Sequence, residues 1–221
     1  MRPAEVLSAS SERLRELRAW QAARLASTYG DLLHDPECVD AMKFFLTDLY
    51  GPEEHTRRDQ DLARAWSVLS RTLPRATLGL LERAIQLQTL TAQLDEAMVQ
   101  QLAAGPVTQE SYAAAYRAVG RPEARRRQID LVLTIATDLD RIVRHAWLAF
   151  ALRAAHVPAH AAGFGALQDF LERGFAAFRR MKDAGRMLNA IRERETRLSA
   201  ALFEGAAAPF AAALAGTDRH D

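Results

Sequence analysis

Cysteine, lysine and β-branched alternation are the scarce things in this chain, and each scarcity closes off a class of structure. The lone cysteine, Cys38, can form neither an intramolecular disulfide nor a thiolate metal cage, so the fold stands on packing. Lys43 and Lys182 are the only lysines; the other cations are arginines, whose rigid donor forks suit carboxylate and phosphate partners. With the abundant alanine, this bias reads as GC-rich coding and a bacterial source. No apolar run reaches the ~20 residues that span a bilayer, and the first eight residues hold no stretch of signal-peptide length, so a cytoplasmic protein with no membrane partner is expected. A net charge of +1 lacks the broad positive field of a dedicated nucleic-acid binder. Glu-x-x-His occurs nowhere, which removes the di-iron bundle pattern.

What is present is apolar residues at 49% of 221, arranged with helical periodicity in nearly every segment. The reading is all-α: a single-domain bundle of about seven helices over residues 1–205, with an alanine-rich, frayed tail at 206–221. A first helix starts at the Ser8 to Ser11 cluster and fades at Tyr29-Gly30. A second runs from about Pro36 to Tyr50, stopped by Gly51-Pro52, with Met42, Phe45, Leu46 and Leu49 as its core stripe and Phe44 nearly opposite, so two covered faces are expected. Thr56 and Asp59 resemble a capping box opening a helix that ends before Pro74. Long helices follow from Thr77 to before Gly105 and from Pro122 to about Ala155, with a short one from Thr108 to Val119 between them. The two long ones are expected to pack antiparallel as a spine. Val157-Pro158 predicts a break, followed by helices over 162–181 and 184–203.

Several constellations invite chemistry. His156 and His160 have the four-residue spacing of a zinc pair, but Pro158 between them predicts that both fall in an interhelical loop. Asp31-Leu-Leu-His34 is a single, unpaired carboxylate–histidine pattern and reads as loop. Asp130, Thr134, Thr137, Asp138, Arg141 and His145 form a polar line that reads as a solvated face. Arg121, Arg125, Arg126 and Arg127 crowd a helix start, without the glycine cradle of a phosphate loop, and read as surface cations paired with neighbouring acids. Gly174, mid-helix, predicts a close approach by another helix, or an apolar pocket with Gln168, Glu172 and Arg173 as polar handles. Around Gly51-Pro52, an Asp48 bridge to Arg57 or Arg58 predicts a locked corner; the alternative is a ligand or partner site built from Phe44, Asp48, Tyr50, His55, Arg57, Arg58 and Asp59.

The strings Phe44-Phe-Leu-Thr-Asp-Leu-Tyr-Gly51, with Arg58-Asp59 after it, and Gly165-Ala-Leu-Gln-Asp-Phe-Leu-Glu-Arg-Gly-Phe-Ala-Ala-Phe178 resemble a family of uncharacterised, all-helical bacterial proteins. The resemblance extends over most of the chain and carries no activity with it. The function expected is therefore non-enzymatic: a bundle acting as a homo-oligomer or on a protein partner, with Phe44 on an exposed apolar patch and no metal or cofactor. The alternative is a ligand- or cofactor-binding bundle, haem-oxygenase-like or otherwise redox, for which His34 and His145 are the candidate axial ligands.

Overall fold

The computed structural model describes residues 3–49, 61, 64, 75–182 and 184–214, and every regular element among them is helical. α1 (Pro3–Thr28), α2 (Gly30–His34) and α3 (Val39–Phe44) lead into a π-wound turn at Phe45–Leu49. Then come α4 (Arg75–Gln101), α5 (Gln109–Val119), α6 (Pro122–Val143), α7 (Ala146–Ala161), α8 (Gly165–Arg180), α9 (Ala184–Glu204) and α10 (Pro209–Leu214). The helix expected between Thr56 and Pro74 lies outside the described residues apart from Asp61 and Arg64, as does the Tyr50-Gly51-Pro52 corner.

Boundaries carried by strong local chemistry fall where expected. Thr108 accepts the Ser111 amide at 3.2 Å to cap α5, Gly120 ends it, and Pro122 opens α6. Weaker signals move. α1 begins at Pro3 rather than in the serine cluster, since proline's fixed φ suits a first turn. α3 starts at Val39, not Pro36, because the Asp35 carbonyl takes the amides of Cys38 and Val39 and its Oδ1 takes that of Glu37, holding the chain in a separate turn.

The expected single helix from Pro122 to Ala155 is two, broken at Arg144-His145 where His145 turns extended. The second of them continues through Pro158 to Ala161. Proline removes the amide that would meet the Ala154 carbonyl, but Ala154 is exposed, so the bond is lost at the surface rather than in the core and the helix survives. Within the tail expected to fray, α10 sets Phe210 edge-on to Trp20, ring centroids 5.6 Å apart, and residues 215–221 lie outside the described residues.

α6 packs chiefly on α4 and α9, while α3 and α7 dock on α8. α4 and α6 run antiparallel, with Arg83 on Asp138 toward one end and Gln128 on Thr91 toward the other. Apolar burial gathers in two main clusters. One surrounds Tyr29, Met42, Phe44, Val132, Phe178 and Ile191; the other surrounds Leu17, Met98, Tyr112, Tyr116, Leu198 and Leu202.

Phe44 is 6% exposed, which corrects the expectation of an apolar patch built on it. The π turn that follows brings both Phe44 and Phe45 inside, Phe44 toward α8 and Phe45 toward the space between the two clusters. Its ring sits 5.2 Å from Phe170 and 6.2 Å from Phe178, against Gly174, where a Cβ would stand only 2.8 Å from Phe44 Cζ. Burying a phenyl ring is worth about 1.5–3 kcal/mol, more than the roughly 1 kcal/mol that a mid-helix glycine costs relative to alanine. Close approach of another helix is therefore the reason for that glycine.

Candidate functional site

Between the two apolar clusters lies a cavity of about 80 Å³ whose mainly apolar wall carries several polar and charged side chains. At the ≈10–15 Å³ that one water occupies on such a measure, it has room for about five to eight waters or one small organic group. α1 contributes Arg24, α4 Asp95, α5 Tyr112 and Tyr116, α6 Arg125 and α9 Glu195. Each occupies a position where its helix turns toward the core, beside Leu25, Leu94, Ile129 or Leu198.

The acceptors on this wall are engaged. Glu195 Oε1 takes Arg24 Nη1 at 2.5 Å and the Tyr29 hydroxyl at 3.0 Å. Asp95, 2% exposed, takes Arg18 Nε and Gln21 Nε2, both at 3.2 Å. Burial pushes the Asp95 carboxyl above the ordinary range, only partly offset by Gln21 and Arg18. Burial likewise raises the Tyr116 phenol to about 12, against the opposing pull of Arg125 and the Ser199 hydroxyl, and pushes Tyr29 higher still with help from Glu195. Both phenols are neutral at physiological pH.

The donors are not all engaged. Arg125, 5% exposed, lies 4.5 Å above the Tyr116 ring and gives one hydrogen bond, from Nη1 to Gln128 Oε1 at 3.2 Å. Its Nε and Nη2 are buried with no acceptor, and Arg24 Nε is in the same state. A buried donor without a partner forfeits about 1–3 kcal/mol, more when it is charged. The cavity is therefore a site with surplus guanidinium donors, chemically matched to an oxyanion.

The residues singled out in the sequence fall elsewhere. Asp48 Oδ1 takes both Nε and Nη2 of Arg173, at 3.0 and 2.7 Å, so two separate candidates meet across α8 and the π turn. Gln168 is buried, donating to the Leu152 carbonyl and to Glu172 Oε1, both at 2.8 Å. Tyr50, His55, Arg57, Arg58 and Asp59 lie outside the described residues. His34 and His145 are exposed, and neither reaches the cavity. Of the arginine cluster, Arg126 and Arg127 face solvent, while Arg125 turns inward, correcting its reading as a surface cation. His156 and His160 share a helix face rather than a loop, with ring centroids 4.4 Å apart. Cys38 is buried, and burial with the nearby Asp35 carboxylate raises its thiol, which disfavours a nucleophilic role.

Asp95, Arg24 and Glu195 went unnoticed in the sequence although a signal existed. Thr91 and Asp95 fall on the inner stripe of α4 with Leu94 and Met98, and Arg194 and Glu195 stand between Ile191 and Leu198 on α9. Charges at core positions mark a buried network.

Over residues 1–209 the chain matches the family described as a domain of unknown function, DUF8198, and it belongs to that family. No curated protein and no solved structure matches it. No helix among the described residues is long and apolar enough to cross a membrane.

Proposed function

We propose that this member of a family of unknown function is a ligand-binding helical bundle that takes up a small oxyanion, a carboxylate or phosphate group, in the cavity between its two apolar clusters. The observation that carries the reading is the unpartnered Nε and Nη2 of buried Arg125, joined by Arg24 Nε. Arg125 is the anchor, the neutral Tyr116 face supports its guanidinium, and Arg24 is the second cation, already held by Glu195. A cytoplasmic protein meeting small metabolic anions is the setting this implies.

Calorimetric titration of the full chain with acetate, with inorganic phosphate and with short dicarboxylates tests it. One of these is expected to bind at one site per chain, and Arg125→Met is expected to weaken that site at least a hundredfold. Equal affinity in both proteins would overturn the reading.

A second reading, self-association, is favoured by α7. Its outer stripe leaves Trp147, Phe150 and Val157 42%, 71% and 73% exposed. A second copy docking through this stripe predicts a dimer on a sizing column with mass detection, which Phe150→Asp returns to monomer.

A further inference from the structure

α7 and α8 bring four metal-capable side chains to one surface. His156 and His160 stand one turn apart on α7, and Asp169 and Glu172 one turn apart on α8. A ring nitrogen of each histidine and a carboxylate oxygen of Asp169 lie within 4.8 Å of one another. The ligand atoms of a tetrahedral ion at about 2.0–2.1 Å stand roughly 3.3 Å apart. The His160 Nε2 to Asp169 Oδ1 separation is already 3.1 Å, and His156 is exposed, so small rotamer changes close the remaining gap.

The hydrogen bonds fix which nitrogens are available. His160 Nδ1 stands 2.8 Å from the His156 carbonyl, which can only accept, so the proton is on Nδ1 and the lone pair of a neutral ring is on Nε2, facing Asp169. His160 Nε2 and Asp169 Oδ1, 3.1 Å apart, form a contact that either a ring proton or a metal ion can bridge. His156 Nδ1 donates to Glu172 Oε1 at 2.9 Å, leaving Nε2 as its lone-pair atom. Glu172 is itself oriented by Gln168, which is buried and tied to the Leu152 carbonyl. A carboxylate or backbone carbonyl behind each imidazole is the usual support for a metal ligand.

Gly165 also bears on where the ring sits. A Cβ on Gly165 would stand 2.9 Å from His160 Cδ2 and 3.2 Å from Nε2, so the imidazole packs close to the backbone there and a side chain at 165 would oblige it to shift. Pro158, between the two histidines, leaves the helix intact and the four-residue spacing in force.

We infer that His156, His160 and Asp169 bind a divalent transition-metal ion, zinc given the nitrogen and oxygen donor set, with Glu172 orienting His156 and a fourth position open to solvent. His156 and Glu172 also line a groove with Leu152, Arg153, Val157 and Phe175, through which a second ligand to the metal can approach. None of these residues lines the internal cavity, so the inference stands apart from the oxyanion reading.

The test is competition of untagged full-length protein against a chromophoric zinc chelator, with cobalt(II) as a spectroscopic substitute. One zinc per chain is expected, with visible cobalt bands of a four- or five-coordinate nitrogen–oxygen site. His160→Ala is expected to weaken zinc at least tenfold and Gly165→Ala to weaken it by displacing the ring, with His34→Ala unchanged. Circular dichroism monitors folding, and if the His160 variant is perturbed, Asp169→Asn supplies the same readout from a half-buried carboxylate. Unchanged affinity in a His156→Ala, His160→Ala double variant, or one zinc shared by two chains, would overturn the inference.

Discussion

Arg194 and Arg125 occupy comparable seats in this bundle and meet opposite fates. Each is about 5% exposed or less, and each has its guanidinium carbon over a tyrosine ring, 5.5 Å from Tyr29 for Arg194 and 4.5 Å from Tyr116 for Arg125. Arg194 nevertheless forms a bidentate pair with Asp31 at 2.7 Å on both arms and a third bond, also 2.7 Å, to the Thr28 carbonyl. Arg125 has Gln128 alone. Burial raises the stakes equally for both, so the completeness of the partner set separates a structural arginine from one that awaits a ligand. Arg194 closes the junction of α1, α2 and α9; Arg125 faces a cavity.

Exchanging these arginines for methionine sharpens the contrast. The largest expected effect is on binding: Arg125→Met removes the oxyanion anchor, a hundredfold or about 2.7 kcal/mol, while zinc affinity at the outer histidines stays as it was. Without ligand, the same variant is expected to unfold in denaturant at or above the wild-type midpoint, since a buried, incompletely paired charge has been replaced by apolar atoms. Loss of stability there would break the comparison.

Arg194→Met is expected to lower stability by about 2 kcal/mol, the scale of charge-assisted hydrogen bonds lost from a buried group. The loss depends on pH. Hydrogen bonding to Arg194 is the main cause holding the Asp31 carboxyl below its ordinary 3.8, outweighing its desolvation. A depressed carboxyl contributes stability that is present above its unfolded value and disappears as pH falls through the folded one. The wild-type advantage over Arg194→Met is therefore expected to hold at neutral pH and to shrink below about pH 4, as read from denaturation curves across that range.

The smallest effect concerns the surface. Glu172→Gln keeps the shape of the group behind His156 but removes its charge, and it is expected to weaken zinc by about tenfold with little change in the thermal midpoint. His156 and Glu172 are too exposed for their pairing to carry much stability. A large drop in melting temperature would mean that this cluster is a structural clasp between α7 and α8.

The parts of the fold legible in the sequence are those where a single residue's chemistry acts locally. Thr108, Gly120 and Pro122 mark the α5–α6 junction because capping, helix termination and first-turn tolerance are properties of a few consecutive residues. Two-sided coverage of the Phe44 helix was legible from its opposed apolar positions, and Gly174 announced a close contact. Pro158 misled because its outcome depends on whether the freed Ala154 carbonyl lies at the surface, a matter of exposure that the local string does not state. With that helix continuous, the histidines that looked like loop residues share a face, and only the docking of α8 adds Asp169 and Glu172 to them.

The sequence by itself determined that this protein is a helical bundle without disulfides, where several of its helices start and stop, and that its cations are almost all arginine. Those properties follow from composition, periodicity and capping chemistry, which act over at most a few helical turns. Only the tertiary structure decided that Phe44 is interior, that Arg125 and Asp95 are buried while Arg126 and Arg127 are not, and that Nε and Nη2 of Arg125 meet no acceptor. Burial and hydrogen-bond completion arise from residues distant in the chain meeting across helices, and no local pattern encodes which partners arrive.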